Sequence, residues 1–205
     1  MTLKLAPLLR EKHGSKKMPL HELLTETDAY NWNSVEDRPV NQAERRNRLG
    51  YLRQVIGASG IELNSSILDV ASRANSLAYL YPDVVAVDND PQKIKMLRRD
   101  GIKGVVADIE NLPFEDKSFD YVVAISPPQK MIILHKDGFV RFDVDHEYNR
   151  KLIDAALRIS REKVLISCCD ITMQSPYNDL VDKKGIVHSF YKIHYVVYKT
   201  NNNDN

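Results

Sequence analysis

The 205-residue chain carries 29 basic and 28 acidic side chains, which leaves a formal net charge of +1 at pH 7. This balance provides no overall field toward nucleic acid or anionic membranes, so nucleic acid is a candidate partner that the net charge does not favour. No apolar run approaches the roughly 18 residues of a membrane-spanning helix, and the N-terminal apolar run is too short for a secretion signal. The adjacent Cys168 and Cys169 are expected to be buried free thiols. These features predict a cytoplasmic protein without membrane partners.

The first part of the chain has an irregular pattern. Residues 1–40 are interrupted by proline and glycine and are predicted to form an N-terminal extension, in which the clearest short helix is Leu20–Thr25. A longer helix is predicted to begin with a cap at Asn41 and to run to about Ile56, with Gly57 and Gly60 ending it.

Three successive short apolar strands each end in an aspartate, namely Asp69, Asp88 and Asp108, at intervals of 19 and 20 residues. The intervals suit a strand, a helix and a return loop. Open parallel sheets bind ligands at the carboxyl ends of their strands, so three carboxylates there indicate a nucleotide site. An acid about 20 residues beyond the first turn is the usual partner of a ribose. The alternative is that these acids only cap helices and end strands, because acids favour turns.

The helix after the second strand has clear start and stop residues in the sequence. Asp90 is a predicted N-cap, Pro91 occupies the first helical position, and Gly101 supplies a left-handed stop, while the basic residues between them are expected to face outward. The fourth strand, residues 121–125, is apolar throughout, which suits a strand covered on both faces.

The rest of the chain continues the alternation of strands and helices. Residues 131–144 read as a β-hairpin that would lie over the site as a lid, followed by a helix at 146–160 and a strand at 163–169. Residues 186–198 are predicted to form two antiparallel strands, and 201–205 a disordered tail.

The pattern predicts one α/β domain over residues 41–200. Its fold would be a doubly wound, mostly parallel sheet of about seven strands with helices on both faces. An antiparallel C-terminal strand and a β-hairpin insertion after strand 4 complete this prediction.

Three stretches carry a resemblance to a known family. ILDVASRANSLA (67–78), VAVDNDP (85–91) and ADIENLPFEDKSFDYVV (107–123) resemble the class I S-adenosylmethionine-dependent methyltransferases, which have a Rossmann-like fold. The resemblance extends over residues 42 to about 199. It implies S-adenosylmethionine as the cofactor and transfer of a methyl group to an amine, hydroxyl or amide acceptor, including acceptors in nucleic acid or protein.

The resemblance also implies roles for the strand-end residues. Asp69 would close the first strand beside the methionine part of the ligand, and Asp88, followed by Asn89, would accept from both ribose hydroxyls. Asp108 would accept from the adenine amino group, and Ile109 would pack on the ring. A carboxylate is chemically suited to this, because it can accept two hydroxyl hydrogens in charge-assisted bonds.

One segment departs from the family pattern. The family has glycines in the turn after the first strand, where this chain has Ala71, Arg73 and Asn75. Glycine serves there because it adopts conformations closed to other residues and lets the backbone approach the ligand. In one reading the turn is reshaped, Ala71 and Arg73 still line the site, and Arg73 pairs with the ligand carboxylate. In the other, Arg73 fills the pocket and the cofactor is lost.

The segment after the fourth strand supplies the candidate catalytic residues Ser126, Pro127 and Pro128. With Gln129 they resemble the Asp/Asn/Ser-Pro-Pro-aromatic signature of amino-methyltransferases, in which the first side chain and a proline carbonyl accept the amine hydrogens. Gln129 cannot stack on a planar substrate as the aromatic residue does. The alternative is a strand that two prolines end.

The densest ionisable cluster is Asp143, Asp145, His146 and Glu147. It has ligand types for a metal or a catalytic base, but helix capping by Asp145 explains it better, and no metal site is predicted.

The sequence leaves two alternatives to methyl transfer. One is a catalytically silent methyltransferase-like protein that binds a nucleotide, RNA or a protein. The other, a dinucleotide-dependent oxidoreductase, is disfavoured because the chain has no Gly-x-Gly-x-x-Gly.

Overall fold

The structure is a computed structural model, and it describes residues 17–35, 42–62, 64–74, 76–125, 131–136, 139–144, 146–168, 186–190 and 193–199. Within these ranges the helices are α1 (Leu20–Asp28), α2 (Gln42–Ser59), α3 (Pro91–Arg99) and α4 (His146–Ile159). The strands are β1 (Ile67–Val70), β2 (Val84–Asp88), β3 (Gly104–Val106), β4 (Phe119–Ile125), β5 (Met131–Lys136), β6 (Phe139–Val144), β7 (Ser160–Cys168), β8 (Ile186–Phe190) and β9 (Ile193–Lys199). Short 3-10 helices span Trp32–Ser34, Leu77–Tyr79 and Ile109–Asn111.

The main sheet has the strand order β3-β2-β1-β4-β7-β9-β8. Its first five strands are parallel, whereas β9 runs antiparallel to both β7 and β8. Strands β5 and β6 form a separate antiparallel pair. The predicted α/β class, with a parallel sheet and flanking helices, is confirmed. The chain order reverses between β1 and β4, which places the ligand crevice of such sheets at the carboxyl ends of these strands.

Helices cover both faces of the sheet because the strands alternate their side chains between two apolar clusters. In β1, Leu68 and Val70 join the cluster that contains α1 and α4, while Ile67 joins the cluster that contains α2. In β2, Ala86 lies on the sheet face that α2 covers, and there it packs against residues of α3. All residues of β1 and β2 are therefore buried, as expected for central parallel strands.

The described part of the N-terminal extension, residues 17–35, packs along edge strand β3. Leu23 is buried in the cluster of α4, and Tyr30 and Trp32 pack at the other face, against the cluster of α3. Main-chain pairing adds to this, because the Met18 amide donates to the Pro113 carbonyl at 2.8 Å. The extension thus covers the edge of the sheet, which would otherwise expose unpaired backbone groups.

Two helix predictions need correction in their boundaries. α1 continues to Asp28, three residues beyond the expected Thr25. α2 passes through Gly57 and ends at Ser59, where Gly60 adopts the left-handed conformation with φ 65°. A glycine inside a helix costs about 1 kcal/mol, and burial of the helix's apolar face offsets this. The predicted cap, Asn41, lies outside the described residues.

The signals for α3 are confirmed. The Asp90 side chain accepts from the Gln92 amide at 3.0 Å, Pro91 begins the helix, and Gly101 has φ 81°. The expectation that its basic residues face outward is only partly met. Lys95 Nζ donates to the Val35 carbonyl at 2.6 Å, and Arg98 pairs with Asp28. The N-terminal extension covers these side chains, and the local sequence of α3 does not reveal this.

Some predictions concern residues outside the described ranges, namely the hairpin turn at 137–138, Cys169 and the tail at 201–205. Across the part of the chain that is described, no helix has both the length and the apolar character needed to cross a membrane.

Candidate functional site

The turn after β1 holds two non-glycine residues in the left-handed region. Ala71 has φ 55° and Arg73 has φ 57°. For residues with a side chain this conformation costs about 1–2 kcal/mol each, so surrounding contacts must hold it. At two of the three positions where the family has glycine, the backbone therefore retains a glycine-type conformation. Asn75 lies outside the described residues.

Hydrogen bonds to the end of β2 hold this turn in place. The Ser72 amide donates to the Val87 carbonyl at 2.9 Å, and the Arg73 amide donates to Asp88 Oδ2 at 2.9 Å. Ser72 is fully buried. The left-handed conformation of Arg73 thus coincides with a charge-assisted bond from its amide to a buried carboxylate.

The Asp88 side chain accepts three hydrogen bonds at the end of β2 and is only 4% exposed. Besides the Arg73 amide at Oδ2, its Oδ1 accepts from the Asp90 amide at 3.0 Å and from Lys93 Nζ at 3.2 Å. A carboxylate has about four acceptor sites, so about one is left for a ligand hydroxyl. Asn89, the next residue, is exposed.

Asp69, also predicted to bind the cofactor, is turned toward its own loop. Its Oδ2 accepts from Ser76 Oγ at 2.7 Å and from the Leu77 amide at 2.8 Å, and the residue is 2% exposed. These bonds fix the start of the 3-10 helix Leu77–Tyr79. The geometry gives Asp69 a clear structural role in the loop that surrounds the turn.

Asp108 and Ile109 follow β3 directly beside Asp88. In the β2–β3 register Asp88 pairs with Val106, and the Ala107 amide donates to the Asp88 carbonyl at 3.2 Å. The half-buried Asp108 side chain caps Ile109–Asn111 by accepting from the Glu110 amide at 3.0 Å. Ile109 is buried at 6% exposure in the main core cluster. The sheet therefore brings Asp88 and Asp108 to adjacent strand ends.

The candidate catalytic residues Ser126, Pro127 and Pro128 lie outside the described residues. They directly follow Ile125, the last residue of β4, which neighbours β1 in the sheet. The predicted ionisable cluster at 143–147 is largely outside the described side chains as well. Among the side chains that are described, no group of three or more histidine, cysteine or acidic residues could hold a metal.

Lys93 is the site residue that sequence reasoning missed, because it was expected to face solvent. It lies in the first turn of α3 and reaches back to Asp88 Oδ1, with Asp90 Oδ2 at 3.9 Å. The sequence does contain a signal for this contact. Lys93 lies in the first turn of a helix that begins just after Asp88, so its side chain can reach back to the carboxylate.

Arg45, one of the basic residues of α2, is engaged within the molecule. It donates to the Tyr79 hydroxyl at 2.9 Å and lies 4.3 Å above the Tyr79 ring. Tyr79 donates in turn to Asp100 Oδ2, and burial together with this bond raises the pKa of Tyr79. The cluster fastens α2 to the loop before β2 and to the end of α3.

The strained turn leads to a first prediction, which compares three variants that all lack the guanidinium. We expect Arg73→Gly to be more stable than Arg73→Ala by about 1 kcal/mol, because glycine adopts positive φ without steric cost. Arg73→Val should be less stable than Arg73→Ala by about 1 kcal/mol, because a branched side chain is strained there. Urea unfolding measures the order, and equal stability of the three variants would contradict the left-handed geometry.

Comparisons with known proteins agree with this architecture. A family model described as a methyltransferase domain matches residues 68–127, which run from the second residue of β1 to just beyond β4 and include Asp69, Asp88 and Asp108. Among curated proteins, none matches the chain by sequence.

Several solved structures share the fold. A Pyrococcus horikoshii OT3 protein has a TM-score of 0.59 at 17% identity and covers 78% of this chain and 92% of its own. Magnesium protoporphyrin IX methyltransferase from Synechocystis PCC 6803, solved with bound S-adenosylmethionine, has a TM-score of 0.50 at 14% identity, covering 80% and 86%. A protein from Methanococcus maripaludis, described as a candidate S-adenosylmethionine-dependent methyltransferase, also has a TM-score of 0.50, at 12% identity, covering 79% and 94%.

At these identities the structural likeness establishes the fold. Together with the family model, it confirms the resemblance to class I methyltransferases that the sequence motifs indicate. The cofactor predicted from that resemblance is the one bound in the Synechocystis structure.

Proposed function

We propose that this protein is an S-adenosylmethionine-dependent methyltransferase that transfers a methyl group to an amine, hydroxyl or amide acceptor. The observation that carries the proposal is the turn after β1. Ala71 and Arg73 keep the left-handed backbone that glycines would adopt, and the Arg73 amide is bonded to Asp88 at the end of β2. A turn held in a strained conformation is the kind of feature that clusters at ligand sites.

In this proposal the residues at the strand ends each bind a different part of the cofactor. The remaining acceptor site of Asp88 binds a ribose hydroxyl, with Asn89 beside it. Asp108 accepts from the adenine amino group and Ile109 contributes apolar contact at the ring. Asp69 acts through the loop that it anchors, near the methionine part. Ala71 leaves the backbone of the turn accessible, and Arg73 binds the ligand carboxylate with its guanidinium.

The chemistry follows from positioning. When bound, S-adenosylmethionine supplies a methyl group already activated on a sulfonium. The protein orients the acceptor atom in line with that methyl group and excludes competing water, and positioning of this kind accounts for much of the rate. Ser126 and the carbonyl of Pro127 are the proposed acceptors of the substrate's hydrogens, with Pro128 shaping the segment. Gln129 gives no stacking surface, so a planar base is not a favoured acceptor.

A second candidate function has its own observation. Lys93 Nζ lies 3.2 Å from Asp88 Oδ1 and occupies an acceptor site that a ribose hydroxyl would use. This favours a catalytically silent methyltransferase-like protein that uses the fold for binding.

Calorimetry with S-adenosylhomocysteine tests the cofactor site that methyl transfer requires. We expect the wild type to bind with a measurable dissociation constant below about 1 mM. Lys93→Met should bind a few-fold more tightly, because it frees an acceptor site on Asp88. Lys95→Met is the matched control, since Lys95 donates to the Val35 carbonyl instead, and its affinity should equal that of the wild type. No heat from the wild type at millimolar ligand would overturn the methyltransferase proposal.

A further inference from the structure

The connector between β3 and β4, residues 108–118, is held by one side chain of α4. Arg158 Nη2 donates to the Leu112 carbonyl at 3.0 Å, and Nη1 donates to the Phe114 carbonyl at 2.7 Å and to Asp116 Oδ1 at 2.8 Å. A planar guanidinium can serve three acceptors in fixed geometry, which a lysine ammonium cannot reproduce. One residue thus ties together three positions of the connector.

The backbone of Arg158 closes the arrangement. Its carbonyl accepts from the Lys117 amide at 3.0 Å, and Lys117 is itself in the left-handed conformation with φ 56°. A second contact of α4 lies nearer the start of the connector, where Lys151 Nζ is 3.3 Å from Glu110 Oε1. The connector is therefore bonded along most of its length to one helix.

The N-terminal extension holds the connector from the other side. Lys17 Nζ lies 2.6 Å from Asp116 Oδ1, and the Met18 amide donates to the Pro113 carbonyl. Met18 and Phe114, which form an isolated parallel bridge, are both buried. Hydrogen bonds from Lys17 and then Arg158 lower the pKa of Asp116, which keeps this shared carboxylate charged.

We infer that Arg158 is a positioning residue for adenine recognition, acting through the connector that begins with Asp108 and Ile109. This rests on the proposed function, in which those two residues face the adenine. Arg158 does not contact them. It fixes Leu112, Phe114 and Asp116, so that the short 3-10 helix after Asp108 has one end set by β3 and the other by α4.

The inference predicts an effect on adenine selectivity. The probes are S-adenosylhomocysteine and S-inosylhomocysteine, which has a carbonyl in place of the adenine amino group. The wild type should prefer the adenosine compound by at least about tenfold, because a carbonyl opposite the Asp108 carboxylate leaves an acceptor unpaired. Arg158→Met should weaken binding of S-adenosylhomocysteine by about tenfold and bring the ratio of the two dissociation constants close to one.

Two further variants make the calorimetric test specific. Asp116→Ala removes the exposed carboxylate that Lys17 and Arg158 share and should reduce the ratio in the same direction, so it decides the question if Arg158→Met does not fold. Arg161→Met is the matched control, because Arg161 binds Asp120 Oδ1 and the Ser118 carbonyl at the far end of the connector. It should keep the wild-type ratio. A change in stability alone would lower the melting temperature of a variant without altering the ratio.

The outcomes are distinguishable. If the wild type prefers S-adenosylhomocysteine and both Arg158→Met and Asp116→Ala retain that preference, the inference is wrong while the proposed function stands. If the wild type binds neither compound, the proposed function is overturned, and the role of Arg158 with it.

Discussion

Replacement of Asp88 by alanine is expected to abolish binding of S-adenosylhomocysteine and to lower the free energy of unfolding by about 3 kcal/mol. The carboxylate is almost completely buried and accepts from the Arg73 amide, the Asp90 amide and Lys93 Nζ. Alanine leaves these donors without their acceptor. The turn after β1 also loses the bond that holds Arg73 at positive φ, so the site loses both a ligand group and its scaffold.

Calorimetry and urea unfolding on the same samples measure both effects of the Asp88 variant. Asp90→Ala is a suitable control, because it removes the cap of α3 at a cost of about 1 kcal/mol and leaves the Asp88 carboxylate in place. It should bind the ligand as the wild type does. Retention of wild-type affinity by a folded Asp88→Ala protein would show that the carboxylate takes no part in binding.

Asp69→Ala should give the second large effect, a loss of about 2–3 kcal/mol in the free energy of unfolding. Asp69 Oδ2 accepts from Ser76 Oγ and from the Leu77 amide, and all three residues are buried. Removal of the carboxylate leaves a backbone amide without its acceptor in a dry environment. The 3-10 helix Leu77–Tyr79 would lose its anchor to β1.

Asp69→Asn is the matched comparison, since its amide oxygen can still accept one of these bonds, and it should lose about half as much stability. At low temperature, where the variants stay folded, both should bind S-adenosylhomocysteine within about threefold of the wild type. A loss of affinity beyond tenfold in folded Asp69→Asn would instead place the carboxylate at the ligand.

The elements that sequence reasoning predicted well are those whose determinants are local. The cap, the first-position proline and the glycine stop of α3 lie within a few residues of the helix that they define. The buried strands β1, β2 and β4 are short apolar runs. The alternation of such strands with helices was enough to predict the α/β class, which the structure has and the similar solved structures share.

For the candidate site, the sequence predicted which residues lie near one another but not which hydrogen bonds they make. Asp88 and Asp108 follow adjacent parallel strands, so their proximity could be expected from the pattern. The partners of Asp88 could not, because Arg73 reaches it through a backbone amide that is oriented only by a left-handed turn. Nothing in the residue types of Ala71 and Arg73 favours that turn. Lys93 was misassigned to solvent for a related reason, since its partner lies outside the helix.

The sequence by itself determined that this chain forms a parallel α/β sheet with acids at three strand ends, because periodicity and capping depend on residues only a few positions apart. The tertiary structure decided what those acids do. It turned Asp69 toward a loop, surrounded Asp88 with donors, and used Arg158 and Lys17 to hold the connector after Asp108. Each of these bonds joins residues that are distant in the chain or oriented by the backbone, and only the packed sheet brings them within reach.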